Sequence, residues 1–223
     1  MVSKNKLKKF AENKTFNNLI QPERKNILNH GFIFRGKWCS NYFFNNNPLV
    51  IELGCGKGEY TIGLANQFSK KNFIGIDIKG SRIWRGAKTA IEKSLKNVAF
   101  VRTQIQNLDL LFSNDEINEI WITFPDPHIK FRKRNKRLIS QNMLELYKKV
   151  SNKDCIVNLK TDSEFLHGYT LGLIESFGYE LIETSHNIDL QNKINAILRI
   201  RTEYEKKFRK DNIPITYTKF KLK

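Results

Sequence analysis

Short apolar runs alternate along this chain with segments in which apolar residues recur at helical spacing. The runs predict buried β-strands, because strands that are covered on both faces read as near-continuous apolar segments. The predicted strands span residues 48–53, 72–78, 98–101, 120–124, 154–159, 179–183 and 215–220. The predicted helices span residues 57–69, 81–96, 164–177 and 194–208. This alternation predicts an α/β fold with a doubly wound, mostly parallel sheet of seven strands and helices on both faces.

A glycine-rich turn follows the first predicted strand, where the sequence from Pro48 to Gly58 reads P-L-V-I-E-L-G-C-G-K-G. A strand, a glycine turn and a helix start bring a nucleotide-like ligand against bare backbone. Glu59 stands where a dinucleotide fingerprint needs its third glycine, and no Ser or Thr follows Lys57 as a P-loop requires. Glu52, at the strand end, would repel a pyrophosphate and suits a cationic ligand. A tight turn in another kind of α/β protein is the alternative.

A second acidic residue, Asp77, ends the next predicted strand. An acidic residue about 20 positions beyond a glycine turn, at a strand end, is placed to accept hydrogen bonds from ribose hydroxyls. We therefore expect Asp77 to bind the ribose of the ligand.

The pattern E-x-G-x-G-x-G resembles the first motif of S-adenosylmethionine-dependent methyltransferases with a Rossmann-like sheet. The resemblance implies S-adenosyl-L-methionine as the cofactor, with Glu52 near its methionine end and Gly54, Gly56 and Gly58 beneath it. After the third strand this family commonly has an Asp that recognises the adenine amino group. The residue here is Gln104, whose amide oxygen can accept the same hydrogen bond.

Composition adds a charge argument and sets the expected surroundings. The chain of 223 residues has 39 Lys and Arg against 22 Asp and Glu, a formal net charge of +17, which favours a nucleic-acid partner. No apolar stretch approaches the ~20 residues of a membrane span, and Cys39, Cys55 and Cys155 form no metal-binding or disulfide pattern. We expect a cytoplasmic protein, a monomer or homodimer, with no metal and no membrane association. Residues 1–47 are expected to form a basic, partly flexible extension, and residues 48–223 the main domain.

The fourth predicted strand ends in Phe124-Pro125-Asp126-Pro127-His128, beside the expected cofactor site of a doubly wound sheet. Two prolines stiffen the backbone around Asp126, which predicts a carboxylate with a defined direction. Six of the next eight residues, 130–137, are Lys or Arg, and none is acidic. A cationic run at this place predicts phosphate binding by Arg132, Lys133, Arg134, Lys136 and Arg137.

The pattern F-P-D-P-x-x-K-x-R-x-x-x-K-R, together with E-x-G-x-G-x-G, closely resembles the tRNA (guanine-N7)-methyltransferases, which modify guanine 46 in the variable loop of tRNA. The resemblance covers residues 48–223, because Thr161-Asp162 and the segment 202–205 also match that family. It implies tRNA as the partner and a cofactor pocket lined by Glu52, Asp77, Gln104 and Asp126. It implies guanine or nucleotide contacts from Lys130, Asp162, Thr202, Glu203, Tyr204 and Glu205. His128 departs from the family's usual Trp.

Guanine N7 has an exposed lone pair and loses no proton when it attacks a methyl group, so no general base is needed. Alignment and electrostatic stabilisation of the cationic purine should provide the catalysis, and Asp126 and Asp162 suit that role. One alternative is another S-adenosylmethionine-dependent nucleic-acid methyltransferase, although amino-methylating enzymes carry D-P-P-Y or N-P-P-Y at this strand end. A non-catalytic RNA-binding partner subunit is the other alternative.

Overall fold

The computed structural model describes residues 4–190 and 196–222. The chain forms two compact units, Met1–Ser113 and Asn114–Lys223. The first unit contains α1 (Lys4–Asn13), β1 (Leu19–Ile20), α2 (Arg24–His30), β2 (Leu49–Leu53), α3 (Glu59–Gln67), β3 (Asn72–Asp77), α4 (Gly80–Glu92), β4 (Val98–Arg102) and α5 (Leu108–Leu111). The second contains β5 (Ile117–Thr123), α6 (Gln141–Val150), β6 (Ser151–Thr161), α7 (Glu164–Phe177), β7 (Glu180–Ser185), α8 (Glu203–Lys210) and β8 (Thr216–Lys221).

The strands of the first unit are parallel and lie in the order β1, β4, β3, β2. Every residue of β2 and β3 is buried, as expected for strands with covered faces. Phe100 of β4 fills the space beneath the glycine turn. A Cβ atom at Gly58, Gly75 or Gly86 would come within 2.6–2.7 Å of its ring, so α3, β3 and α4 can approach β4 only through glycine.

Residues 4–13 of the Lys-rich N-terminal segment form helix α1. Asn13 is buried and donates a hydrogen bond to the Gly80 carbonyl at the start of α4, 2.8 Å away. The indole N–H of Trp84 on α4 bonds the Glu12 carboxylate at 2.6 Å, and the Lys9 ammonium lies 4.6 Å from the same ring. These contacts pack α1 against α4, and the predicted partial flexibility of residues 1–47 stays a prediction. The predicted domain boundary at residue 47 stays a prediction.

In the second unit the strands lie in the order β5, β6, β8, β7. β5 and β6 are parallel, whereas β8 runs antiparallel to both of its neighbours. The last strand thus inserts between β6 and β7, which accounts for a sheet that is mostly but not entirely parallel.

Several elements differ from the prediction. The described residues form eight strands and not seven, because the two-residue β1 pairs with β4 through Leu19 and Phe100. Four helices, α1, α2, α5 and α6, were not predicted from the sequence. The predicted helix over residues 194–208 is interrupted: residues 194–195 lie outside the described part, Ala196–Arg199 form a 3₁₀ turn, and α8 begins only after Thr202.

A buried histidine makes the stability of the second unit sensitive to pH. The ring nitrogens of His167 lie 3.0 Å from the Thr218 hydroxyl and 3.4 Å from that of Thr184. Burial, together with the neighbouring His186, lowers the pKa of His167 to about 4. The folded state therefore binds fewer protons than the unfolded state between pH 4 and about 6.5, so this contribution to stability falls as pH falls through that range. Urea unfolding should show a smaller loss over this range in His167→Gln than in wild type, and equal losses would contradict the assignment.

Candidate functional site

The glycine turn adopts a conformation that only glycine takes readily. Gly54, Gly56 and Gly58 have φ angles of 76°, 56° and 71°, all in the left-handed region. The N–H groups of Gly54 and Cys55 bond the Ile76 carbonyl, so the turn is anchored to the end of β3. At Gly56 a Cβ atom would meet nothing within 4 Å, which leaves open space above the turn for a ligand.

Glu52 is a structural part of this turn as well as a candidate cofactor ligand. Its side chain is 3% exposed, and one carboxylate oxygen accepts hydrogen bonds from the backbone N–H of Thr61, at 2.8 Å, and from the Thr61 hydroxyl. Gly58, at the N-cap position of α3, has no side chain to bind the free N–H groups of the first turn. Glu52 supplies that acceptor from β2. Burial raises the pKa of the Cys55 thiol, and the negative charge of Glu52 raises it further.

Asp77 connects the glycine turn to the end of β3. One oxygen accepts the Gly56 N–H at 2.8 Å and the other accepts the Lys79 N–H at 2.7 Å. Each carboxylate oxygen can accept more than one hydrogen bond, so both remain able to bind ribose hydroxyls. Asp77 therefore fixes the turn, and its predicted ribose contact stays a prediction.

Gln104 is exposed directly after β4 and the buried Thr103, where its side chain is accessible to an adenine. Thr103 donates its backbone N–H to the Asp77 carbonyl at 3.2 Å and accepts a bond from the Asn107 amide at 3.1 Å. Arg24 of α2 binds the oxygen of that amide at 3.2 Å. This hydrogen-bonded support was missed from the sequence, because nothing in the spacing links residue 24 to residue 107.

The segment after β5 carries Asp126 on a loop with unusual backbone geometry. Phe124 and His128 have φ angles of 49° and 43°, a left-handed conformation that costs energy for residues other than glycine. The Phe124 N–H bonds the Lys160 carbonyl at 2.8 Å, which fixes the start of the loop to β6. Asp126 itself is exposed, so its carboxylate is accessible to a substrate.

Residues 131–136 of the cationic run are exposed in a 3₁₀ helix, as phosphate binding requires. Lys130, just before that helix, is exposed as well. The Arg134 guanidinium lies 4.1 Å from the Phe131 ring centroid. Lys130, Arg132, Lys133, Arg134 and Lys136 therefore form one accessible basic surface, which we call the basic turn.

Arg137 differs from the basic turn and corrects the sequence interpretation, which grouped it with the phosphate ligands. It is only 5% exposed. Its guanidinium donates hydrogen bonds to the carbonyls of Pro127 at 3.2 Å, His128 at 3.1 Å and Ile129 at 3.4 Å. It also lies 4.8 Å from the ring of Phe165 and 4.4 Å from that of Tyr169. The cation is thus directed into the protein.

Lys160, which directly precedes Thr161-Asp162, and Glu205 of the segment 202–205 form a buried ion pair. The Lys160 ammonium is 2.7 Å from a Glu205 carboxylate oxygen, and both side chains are fully buried. The same ammonium bonds the carbonyls of Leu198 and Ile200 at 2.8 and 3.0 Å. Burial lowers the pKa of Lys160, and the charge of Glu205 opposes that shift. Lys160 was not singled out in the sequence, although it immediately precedes Thr161-Asp162.

The side chains of Thr202 and Glu205 form hydrogen bonds and an ion pair inside the protein. The Thr202 hydroxyl accepts the Glu205 N–H at 3.1 Å and caps α8. Glu203 and Tyr204 are exposed, and their predicted substrate contacts stay predictions. Asp162, at the end of β6, is half-buried, and this burial raises the pKa of its carboxyl group.

Glu52, Asp77 and Gln104 belong to the first unit, and Asp126 belongs to the second. The prediction that all four line one cofactor pocket is not tested by the geometry of either unit and stays a prediction. Within residues 4–190 and 196–222, no group of three or more His, Cys, Asp or Glu side chains could hold a metal ion. No helix in that part of the chain has both the length and the apolar character of a membrane span.

Both the family model and the similar proteins that match this chain are methyltransferases. Residues 46–218 match the family model described as "Putative methyltransferase". The chain is 51% identical to the tRNA (guanine-N(7)-)-methyltransferase of Christiangramia forsetii, with all of both chains covered. It is 47% identical to the enzyme of the same name from Porphyromonas gingivalis, over 86% of this chain and 78% of that protein.

Solved structures support the fold. The 16S rRNA methyltransferase KamB matches with a TM-score of 0.61 and 14% identity, over 83% of this chain and 91% of that chain. An antibiotic-related methyltransferase matches with a TM-score of 0.58 and 16% identity, over 81% and 90%. At these identities the comparison shows the Rossmann-like methyltransferase fold alone.

Proposed function

The chain belongs to the tRNA (guanine-N7)-methyltransferase family, and on that premise we propose that it transfers the methyl group of S-adenosyl-L-methionine to N7 of a guanine in tRNA. The observation that carries the proposal is the exposed Asp126 on its fixed loop, followed directly by the exposed basic turn. A carboxylate for a cationic purine thus precedes cations for RNA phosphates in the chain. The target is guanine 46 of the variable loop, in keeping with the family resemblance.

The first unit provides groups suited to the cofactor. Gly56 leaves open space above the turn, Asp77 retains acceptor capacity for ribose hydroxyls, and Gln104 is exposed for the adenine. When bound, S-adenosyl-L-methionine supplies an electrophilic methyl group on a sulfonium centre. Glu52 holds the start of α3 in position and adds negative charge beside the turn, which favours a cationic ligand.

The second unit provides the groups that act on the guanine. Because N7 attacks through a lone pair, the base loses no proton and the purine becomes positively charged. Asp126 and Asp162 can accept hydrogen bonds from the N1–H and N2 amino edge of the guanine and stabilise that charge. Lys130 is expected to contact the same nucleotide, and Arg132, Lys133, Arg134 and Lys136 the phosphates. A cytoplasmic location and a monomeric or homodimeric state stay predictions.

Asp77→Ala should weaken cofactor binding at least tenfold and leave tRNA affinity nearly unchanged. The variant loses a charge-assisted contact to the ligand, worth ~1.5–3 kcal/mol, and releases the Gly56 N–H that shapes the turn. Asp77→Asn keeps one acceptor oxygen and should lose less. Isothermal titration calorimetry checks both variants, and wild-type affinity in Asp77→Ala would show that Asp77 does not bind the ribose.

Replacing Arg132, Lys133 and Arg134 together with Ala should weaken tRNA binding broadly and reduce its salt dependence. Each phosphate contact that is lost should lower the slope of log affinity against log salt by up to ~0.9. Cofactor affinity should not change, because the groups proposed to hold the cofactor are other residues, Glu52, Asp77 and Gln104 among them. Filter binding at several salt concentrations measures the slope. An unchanged slope would show that the basic turn faces solvent and does not contact RNA phosphates.

The proposed function is tested with methyl-labelled cofactor and unmodified tRNA transcripts. We expect the label in 7-methylguanosine after digestion and chromatography. Label in another nucleoside would favour a different S-adenosylmethionine-dependent nucleic-acid methyltransferase. Tight tRNA binding without labelling or cofactor binding would favour a non-catalytic RNA-binding partner subunit.

A further inference from the structure

We propose that Arg137 is a positioning residue for methyl transfer, which holds the loop that carries Asp126 in its active conformation. The inference rests on the proposed function and adds a role that the cationic sequence does not suggest. Residues 124–129, which surround Asp126, are called the Asp126 loop below.

The Asp126 loop has little capacity to hold itself in place. Pro125 and Pro127 have no N–H to donate, and Phe124 and His128 occupy the unfavourable left-handed region. Such a backbone persists only where surrounding groups fix it. The Phe124 N–H fixes the start of the loop to the Lys160 carbonyl.

Arg137 fixes the other end. Its Nε and Nη2 atoms reach three consecutive carbonyls, those of Pro127, His128 and Ile129, at 3.1–3.4 Å. These three residues directly follow Asp126, so the guanidinium fixes the backbone on the C-terminal side of Asp126. The side chain of Asp126 is not among the groups that Arg137 binds, and it stays free for the substrate.

Two aromatic rings on α7 fix the guanidinium in turn. Phe165 and Tyr169 lie one helical turn apart, with stacked rings whose centroids are 6.3 Å from each other. The Arg137 Cζ atom is within 4.8 Å of both ring centroids. A planar guanidinium can contact such rings and donate several hydrogen bonds at once, whereas the single ammonium of Lys cannot reproduce that geometry.

Burial separates Arg137 from the basic turn. Residues 131–136 are all exposed, but Arg137 is 5% exposed and its donors point at backbone carbonyls. A group in this position cannot release counterions from RNA as an exposed cation does. Loss of Arg137 should therefore affect the rate of the bound complex more than the binding of tRNA.

The test compares Arg137→Ala with Lys136→Ala, the adjacent exposed cation, and with Lys153→Ala, an exposed cation at the opposite end of β6 from Asp162. We expect Arg137→Ala to lower the single-turnover rate at saturating tRNA and cofactor by ~100-fold, the loss expected when a reacting group is misplaced by about 1 Å. Its tRNA affinity and salt slope should match those of Lys153→Ala. Lys136→Ala should instead bind tRNA more weakly with a smaller salt slope.

Two further measurements separate positioning from a general loss of structure. Millimolar guanidinium should restore part of the rate of Arg137→Ala, and it should not accelerate Lys136→Ala. Hydrogen exchange should be faster in the peptide 124–130 of Arg137→Ala and unchanged in the strands. If this variant does not fold, Arg137→Lys replaces it, and a wild-type rate with wild-type loop exchange in that protein overturns the proposal.

A weaker affinity and smaller salt slope in Arg137→Ala, with the saturated rate retained, would also overturn the proposal and identify a phosphate contact. Failure of the proposed function has a different signature. In that case the wild-type protein forms no 7-methylguanosine, while faster exchange in Arg137→Ala still shows that Arg137 holds the Asp126 loop.

Discussion

Asp126→Asn should lower the single-turnover rate of methyl transfer by about 100- to 1,000-fold, the usual effect of removing one preorganised group that stabilises transition-state charge. Asn has nearly the same size as Asp but lacks the negative charge and replaces one acceptor oxygen with a donor NH2 group. The surrounding backbone should not change, because Arg137 binds the carbonyls of residues 127–129 and Lys160 binds the start of the loop. The loss should therefore report charge rather than geometry.

The same variant should bind tRNA with nearly wild-type affinity. The purine acquires its positive charge only as N7 attacks, so the carboxylate contributes more in the transition state than in the bound ground state. Because no proton is removed, the wild-type rate should also show no titration near neutral pH that is due to a general base.

Single-turnover assays across pH, with saturating cofactor and both proteins, test these expectations together. Near-normal turnover by Asp126→Asn would show that the negative charge of Asp126 does not contribute to methyl transfer. A base-like limb in the wild-type pH profile that disappears in the variant would mean that the reaction is not N7 methylation.

Glu205→Ala should destabilise the protein by about 3–5 kcal/mol, the cost of removing one partner from a buried ion pair. The Lys160 ammonium would remain fully buried and would lose the Glu205 carboxylate that lies 2.7 Å from it. Arg209, which bonds the other Glu205 oxygen at 2.9 Å, would also lose a partner. Urea unfolding measures the loss.

The matched control is Glu203→Ala, two residues earlier on the same helix. Glu203 forms an exposed pair with Lys206 at 2.7 Å, and such surface pairs contribute little, so its free energy of unfolding should change by no more than ~0.5 kcal/mol. Equal stability of the two variants would show that the buried Lys160–Glu205 pair does not stabilise the fold. Activity alone would not make this distinction, because loss of either fold or substrate contact lowers it.

The sequence predicts the positions of most strands well, because an apolar run is a local signal. The apolar runs locate seven of the strands to within a few residues, and the range of α7, Glu164–Phe177, matches the predicted 164–177. Strand β1 was missed because two residues carry no periodicity, and its existence depends on pairing with β4. The antiparallel direction of β8 depends on its pairing with β6 and β7. The spacing of apolar residues within β8 contains no information about these partners.

The candidate site shows the same limit. Residue type and position identify Glu52, Asp77 and Asp126 as acidic groups at strand ends, but burial and partners determine what each group does. Arg137 reads as one more cation in a basic run, and its inward direction follows from the carbonyls of the Asp126 loop. Glu205 reads as a substrate ligand by resemblance, yet its partner, Lys160, is 45 residues away in the sequence.

The most direct test of the account uses two tRNA transcripts that differ at one atom of the target base. One carries guanine at position 46, and the other carries 7-deazaguanine, in which a C–H group replaces N7 and the remaining base-pairing edge is unchanged. With labelled S-adenosyl-L-methionine, we predict 7-methylguanosine in the first transcript and no label in the second. Equal labelling of both transcripts would contradict methyl transfer to N7 of this guanine.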